Sequence, residues 1–562
     1  MKKTIYILTV VFAISFSSCS DFLDIKPNNL ITGAALTEEN LSMLISPLYN
    51  VVWSDFNGQF YYGLGDGRAN NLSAPYSDYI YPFAHFTETG LTGPLVSAWR
   101  SFYVVIQQAN KVIITINESS VSNEAKNQYI AEARFMRGIA YWYLASLWGD
   151  AIISVNPAEA IANPLMNTNP RKDVYDFAIR DMEFAAKWLP ETAPGAGRID
   201  KYSAYGMLSR FYLHYSGLVA SNYGENPNVG TRDAVYLELA KKAALEVIKN
   251  SKYQLMPNYP DLFKIENNNN SEVLFSFQWV PGLDNTTGYG YINSQQAYFA
   301  YGAAITGDDA SWGGATVATY DVIEEFCSEK ADTIRRKATW MGWGDKYDEL
   351  NKAEGGLRYE QNESGSGGAS TALNVKKGVT GSKKDNPAIG RMNSALNTPM
   401  QRLAEVYLNY AEAILGNDAT TTDPIALGYF NDIRKRAGEA PDGLTPKASL
   451  SWEQFRHERR VEFCMEGLYW YDLVSRAYYK QAEVIAILVN QNRHERPPFL
   501  FTAPNDLRLD SSRNPGESAV GAITASVFLL PYPQAEVVKN PLLTAPPVPY
   551  TFTEDRITDL FN

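Results

Sequence analysis

The chain has 562 residues, 45% hydrophobic and 20% charged, a globular composition that excludes a disordered or fibrous protein. Its net charge of −12 argues against nucleic acid, whose phosphates need a basic footprint. Four His and three Cys, with no CxxC or HExxH spacing, leave no zinc signature, so no metal or cofactor is expected.

Residues 1–18 carry Lys2 and Lys3, an apolar run from Ile5 to Phe16 and then Ser17-Ser18. This reads as an export signal, too short to span a bilayer. The small pair before Cys19 resembles a lipobox, so Cys19 is the expected lipidated first residue, and acyl chains would hold the protein on a membrane. Leu41 to Val52 reads as a first helix. Trp53 to Phe86 then turns irregular, with Tyr61, Tyr62, Tyr76, Tyr79 and Tyr81 among Gly and Pro, and with Arg68, Asn70 and Asn71 interleaved. So long and aromatic a loop is expected to be functional.

Helical periodicity returns at Ser97 to Asn117. It is strongest at Ala131 to Asp150, where Met136, Ala140, Tyr143 and Leu147 share one face, and Phe135, Ile139, Trp142 and Ser146 the next. This hub helix is expected to be buried nearly all round, with Glu132 and Arg134 pairing at its first turn. Further pairs, Val174 to Leu189 with Tyr202 to Leu218 and Leu403 to Leu415 with Ala426 to Ala437, suggest hairpins of the roughly 34-residue repeat kind. Residues 251–400 change character: Val273 to Val280 reads as a strand, the rest is rich in Gly, Asn and Ser, and a second aromatic cluster holds Tyr289, Tyr291, Tyr298, Tyr301 and Trp312. Trp340 and Trp343 beyond it have no clear place. No phosphate-loop or G-x-S-x-G pattern is present.

The motifs RLAEVYLNYAEA (402–413), NDIRKRAG (431–438) and HERRVEFCMEGLYWYDLV (457–474), with AEARFMRGIAYWYLASLWGD (131–150), SCSDFLDIKP (18–27) and FLLPYPQAEVVKNPLL (528–543), resemble the SusD/RagB family of Bacteroidetes outer-membrane lipoproteins. The resemblance spans nearly the whole chain. It implies a mostly α, tetratricopeptide-like scaffold (about 30–250 and 400–480, with a closing segment to 562) in a single body, 19–562. An irregular ligand-binding lobe, mainly 53–86 and 251–400, contributes a few short strands. It further implies a surface lipoprotein that sits as a lid over a SusC-like TonB-dependent transporter and captures oligosaccharides.

Glu458, Glu462 and Glu466, spaced i, i+4 and i+8, could offer a glycosidase its carboxylate pair roughly 5–10 Å apart. An ion-paired structural helix is the stronger reading, so no catalytic residue is assigned and a hydrolase is the minority alternative. Sugars need flat rings to stack on and amide or guanidinium groups at the ring edge. The expected ligand-binding residues are therefore Tyr76, Tyr79, Tyr289, Tyr291 and Trp312 as platforms, with Arg68, Asn71 and Asn293 as hydroxyl partners. A peptide receptor of the RagB type is the runner-up, since peptides also use aromatic grooves. Cys327 and Cys464 are either bridged or free thiols.

Overall fold

The computed structural model describes residues 36–74, 77–279, 293–300, 305, 316–359, 373–387, 389, 394–439, 443–493, 499–501, 507–509 and 520–561. Cys19 lies outside them. Helices α1 (Gly93–Asn117) and α2 (Asn123–Leu147) form the first hairpin, and α3 (Arg171–Trp188), α4 (Lys201–Ala220) and α5 (Ala234–Asn250) continue the stack. Side-chain caps start these helices where the sequence supplies them. Ser122 Oγ accepts from Ala125 N, Asp200 Oδ1 from Tyr202 N and Ser203 N, and Asp233 Oδ1 from Val235 N. The chain then leaves the stack for an inserted lobe and returns through α7 (Leu403–Leu415), α8 (Pro424–Ala437), α9 (Trp452–Glu462) and α10 (Tyr469–Asn490), with α6 (Thr333–Thr339) inside the lobe. Despite the long excursion, α5 packs on α7, so the repeat stack is continuous in space. The insertion is clamped at its stem, where β2 (Val273–Phe277) pairs antiparallel with β6 (Thr398–Arg402) from Val273↔Arg402 to Phe277↔Thr398.

The hub is α2, buried from Ile130 to Leu147 except at the partly exposed Arg134. Its indole Trp142 lies stacked on Phe211, centroids 5.8 Å apart and planes 7° from parallel, with the Arg210 guanidinium 5.4 Å from the ring. Arg137 reaches across to α3 with a bidentate pair to Asp181 at 2.7 Å each. The expected first-turn pairing is corrected, because α2 begins at Asn123 and puts Glu132 and Arg134 in mid-helix. Glu132 instead accepts from Tyr49 OH (2.5 Å) and Arg198 Nε (2.8 Å), and Arg134 donates to both Glu554 oxygens at 2.7 Å. The first expected helix is also shorter: Leu41–Ile45 passes into a 3-10 turn, Ser46–Tyr49, at Pro47, which has no N–H to continue an α-helix.

Of the three carboxylates expected on one helical face, Glu466 is off the helix. α9 ends at Glu462, and positive φ at Met465 (65°) and Gly467 (68°) turns the chain into α10. All three are buried in ion pairs. Arg402 donates to Glu272 (2.6 Å), Glu462 (3.0 Å) and both oxygens of Glu466 (2.8 Å). Arg335 meets Glu458 (2.6 Å) and Glu462 (3.2 Å), and Lys377 meets Glu466 (2.9 Å). The cluster thus bolts the inserted lobe, which supplies Glu272, Arg335 and Lys377, to α9 and the turn after it. Burial alone would raise the Glu462 carboxyl, but Arg436, Arg402 and Arg335 outweigh it and hold the group down at about 2. A carboxyl depressed below its unfolded value of about 4.3 stabilises the fold fully above that pH and loses the contribution as pH falls towards 2. Urea midpoints are therefore expected to drop between pH 5 and pH 2.5 (roughly the span between the two values) by more in the wild type than in Glu462→Gln.

Cys464 is buried and Cys327 partly exposed, and the two are not bridged.

Candidate functional site

The first half of the aromatic stretch, from Trp53 to Tyr62, is core. Trp53, Phe56 and Phe60 pack edge-on or tilted against Phe277 (4.5 Å), Tyr143 (6.0 Å) and Phe102 (5.6 Å) respectively. Two π-helical turns, Phe56–Phe60 and Gly63–Gly67, pass the chain through this interior with its backbone groups paired. They deliver Asp66, whose carboxylate accepts from Asn71 Nδ2 (2.8 Å), Met465 N (2.9 Å) and Gly467 N (2.8 Å), while burial pushes its carboxyl up to about 6. The sequence expectation for two hydroxyl partners is corrected here. Arg68 is 1% exposed, ion-paired with Glu88, bonded to Val527 O and packed over the adjoining rings of Trp470 (4.6 Å) and Phe86 (5.1 Å). Asn71 is fully buried, its amide shared between Asp66 and Arg460 Nε (3.0 Å). Neither presents a polar edge to solvent.

Asn293 is buried too, donating to Leu396 O (2.5 Å) and accepting from Gln295 N (3.1 Å), which fixes the start of the short helix Gln295–Phe299. That helix carries the contact that unites the two aromatic segments. Tyr79, partly exposed, meets Tyr298 edge-on at 5.8 Å, and Tyr298 leans on Tyr62 at 5.7 Å. Gln296 locks the same helix to the 380–381 loop, accepting from Thr380 N (2.8 Å) and Oγ1 (2.9 Å) and donating to Gly381 O (2.6 Å). Tyr76, Tyr289, Tyr291 and Trp312 lie outside the described residues.

A four-stranded sheet organises this side of the lobe, in the order β1 (Leu72–Ser73), β3 (Val317–Ala318), β5 (Asn374–Val375) and β4 (Trp340–Met341). Ser73 pairs with Val317, Val317 with Asn374 and Asn374 with Met341, so the described stems flanking 75–76, 306–315 and 360–372 stand side by side. Two residues past Met341 comes Trp343, 42% exposed. It is presented by a turn in which Asp345 N donates to Gly342 O (3.0 Å), Gly342 N donates back to Asp345 Oδ2 (2.6 Å), and Arg336 clasps the Asp345 carboxylate. Sequence reasoning could not place this ring. Its signal was Gly-Trp-Gly-Asp, an indole between two turn formers and followed by a carboxylate. The surface chemistry on offer is an indole and a phenol beside amide-anchored loops. Among the described residues no His, Cys, Asp and Glu are grouped to hold a metal ion, and no helix is long and apolar enough to cross a membrane.

A continuous stack of antiparallel helices carrying one inserted, sheet-organised lobe defines a helical-repeat scaffold protein. Two family models match it: the SusD family over residues 271–548, and "starch-binding associating with outer membrane" over residues 21–213. A SusD-like protein of Bacteroides ovatus is 36% identical over 99% of both chains, and the starch-binding protein SusD of Bacteroides thetaiotaomicron is 26% identical over 61% of this chain and 63% of that one. A crystal structure with a xylogluco-oligosaccharide superposes with a TM-score of 0.81 at 35% identity, covering 92% of this chain and all of that one. The chain belongs to the SusD family.

Proposed function

We propose that this protein is a lipid-anchored outer-membrane protein of the cell surface that binds oligosaccharides or polysaccharide fragments without cleaving them and passes them to a SusC-like TonB-dependent transporter. The observation that carries the reading is the likeness, along almost the whole chain, to a protein solved with a xylogluco-oligosaccharide, in a lobe that exposes Trp343 and, separately, packs a half-buried Tyr79 against Tyr298. An indole offers a pyranose ring a flat apolar partner on which to stack. The absence of catalysis is supported by the carboxylate trio at Glu458, Glu462 and Glu466, which is buried and ion-paired instead of open to a substrate. Tyr76, Tyr289, Tyr291 and Trp312 remain proposed platforms and Cys19 the proposed anchor, whereas Arg68, Asn71 and Asn293 act by holding the lobe in shape.

Calorimetry against xyloglucan, starch and laminarin fragments tests the reading. Binding to at least one is expected, with Trp343→Ala weakening it on the order of tenfold, equivalent to about 1.4 kcal/mol, and with no product accumulating. Binding to peptides and to none of the glycans would replace this function with a peptide receptor. Co-purification of an outer-membrane barrel, lost when Cys19→Ala releases the protein from the membrane, is the expected sign of the transporter partnership.

A further inference from the structure

A cleft of about 1560 Å³ opens between the 255–266 segment, α6, the 344–349 strand turn and the C-terminal end of α8. That exceeds the roughly 300–1,000 Å³ of small-molecule pockets, so its size suits an oligomer. Its floor is a hydrophobic cluster separate from the main core, built on Tyr259, Leu262, Phe263 and Ala338 with Met256 and Ile334 packed on it. The rings of Tyr259 and Phe263 are 0% and 9% exposed, under the Lys377 ammonium, so the accessible floor is aliphatic. Its rim mixes signs: Lys337 and Lys435 stand among Asp432 and Glu439, all exposed. Ammonium groups donate to hydroxyls and carboxylates accept from them, whereas a rim of balanced charge gives no net attraction to a strongly anionic or cationic chain. Two borders join the cleft to the aromatic face. Gly344 and Asp345, in the turn that presents Trp343, line it, and so does Thr380, which bonds Gln296 on the Tyr298 helix.

Resting on the glycan-binding reading above, we infer that this cleft is a second subsite, which takes the continuation or a branch of an uncharged polysaccharide whose first units lie on the aromatic face. It would set a preference for long or branched chains over short ones. The ion cluster at Arg402 and Arg436 beneath it holds its walls at fixed separation, so the subsite is formed before the ligand arrives.

The test compares the wild type with Asp432→Ala/Lys435→Ala and with Lys337→Ala, exposed positions outside the buried ion cluster. Each of xyloglucan, starch and laminarin is offered both as the polymer and as a short linear oligosaccharide of the same linkage, with melting curves to confirm folding. The expected result is a loss of about tenfold for the polymer that binds, or about 1.4 kcal/mol, with the short oligosaccharide changed by less than about twofold. Unchanged polymer affinity overturns the subsite, and so does an equal loss at both lengths. Wild-type binding to peptides alone, with no glycan of either length, would instead sink the glycan reading itself and the subsite with it.

Discussion

Arg402→Leu is expected to destabilise the protein by about 3–5 kcal/mol, the usual effect of removing one partner from a buried ion pair. The guanidinium is 1% exposed and is the common cation of three carboxylates, Glu272, Glu462 and Glu466, of which Glu272 and Glu462 have side chains with no exposure. Leucine would leave those carboxylates with Arg436, Arg335 and Lys377 as remaining partners, too few and too differently placed to satisfy every oxygen that Arg402 now reaches. The damage is local to the joint between lobe and scaffold, because Glu272 directly precedes β2 while Glu462 ends α9. The lobe should therefore detach before the helical stack melts. Urea unfolding followed by tryptophan fluorescence should show an early transition absent from the wild type, and adding Glu466→Gln to Arg402→Leu should recover part of the loss. A single transition within about 1 kcal/mol of the wild type would refute the view that this cluster is what holds the lobe on.

Gly65→Ala is the second substitution expected to be severe, at about 3 kcal/mol or more, the upper end for overpacking. A Cβ on residue 65 would lie 2.4 Å from Gly467 Cα and 2.5 Å from Gly467 O, so backbone meets backbone and no flexible side chain can yield. Gly467 cannot retreat, since its φ of +68° sets the turn between α9 and α10 and a Cβ there would sit 2.5 Å from the Tyr61 ring. Asp66 ties the same crossing through the N–H groups of Met465 and Gly467. Gly428 supplies the contrast: it lies inside α8 with nothing within 4 Å of a built Cβ, so alanine there is expected to stabilise by roughly 0.5–1 kcal/mol through helix propensity. Melting temperatures of the two variants, moving in opposite directions, check both statements at once.

The scaffold was legible because its signal is local. Leu403 to Leu415 is helical in the structure at the residues periodicity marks, and the hub around Trp142 is buried as its two apolar stripes require. The candidate site was legible in composition and much less so in position. Glycine, tyrosine and asparagine between Trp53 and Asn71 form the same string whether the segment faces water or threads the core in π-helical turns. What distinguishes the cases is whether each amide and guanidinium finds a distant partner. Arg68 finds Glu88 and Val527, and Asn71 finds Arg460, 389 residues away. Trp343 was unreadable for the converse reason, since its exposure depends on Arg336 holding Asp345 in the turn beneath it.

The amino-acid order by itself determined the helices, their caps and their pairing into a stack, because periodicity, N-cap residues and turn formers act over a few neighbouring positions. Only the tertiary structure decided which aromatic and charged residues face the solvent and which are interior, and how Tyr79 comes to touch Tyr298. Those outcomes depend on desolvation and on partners separated by hundreds of residues, and neither is a property of any short window of sequence.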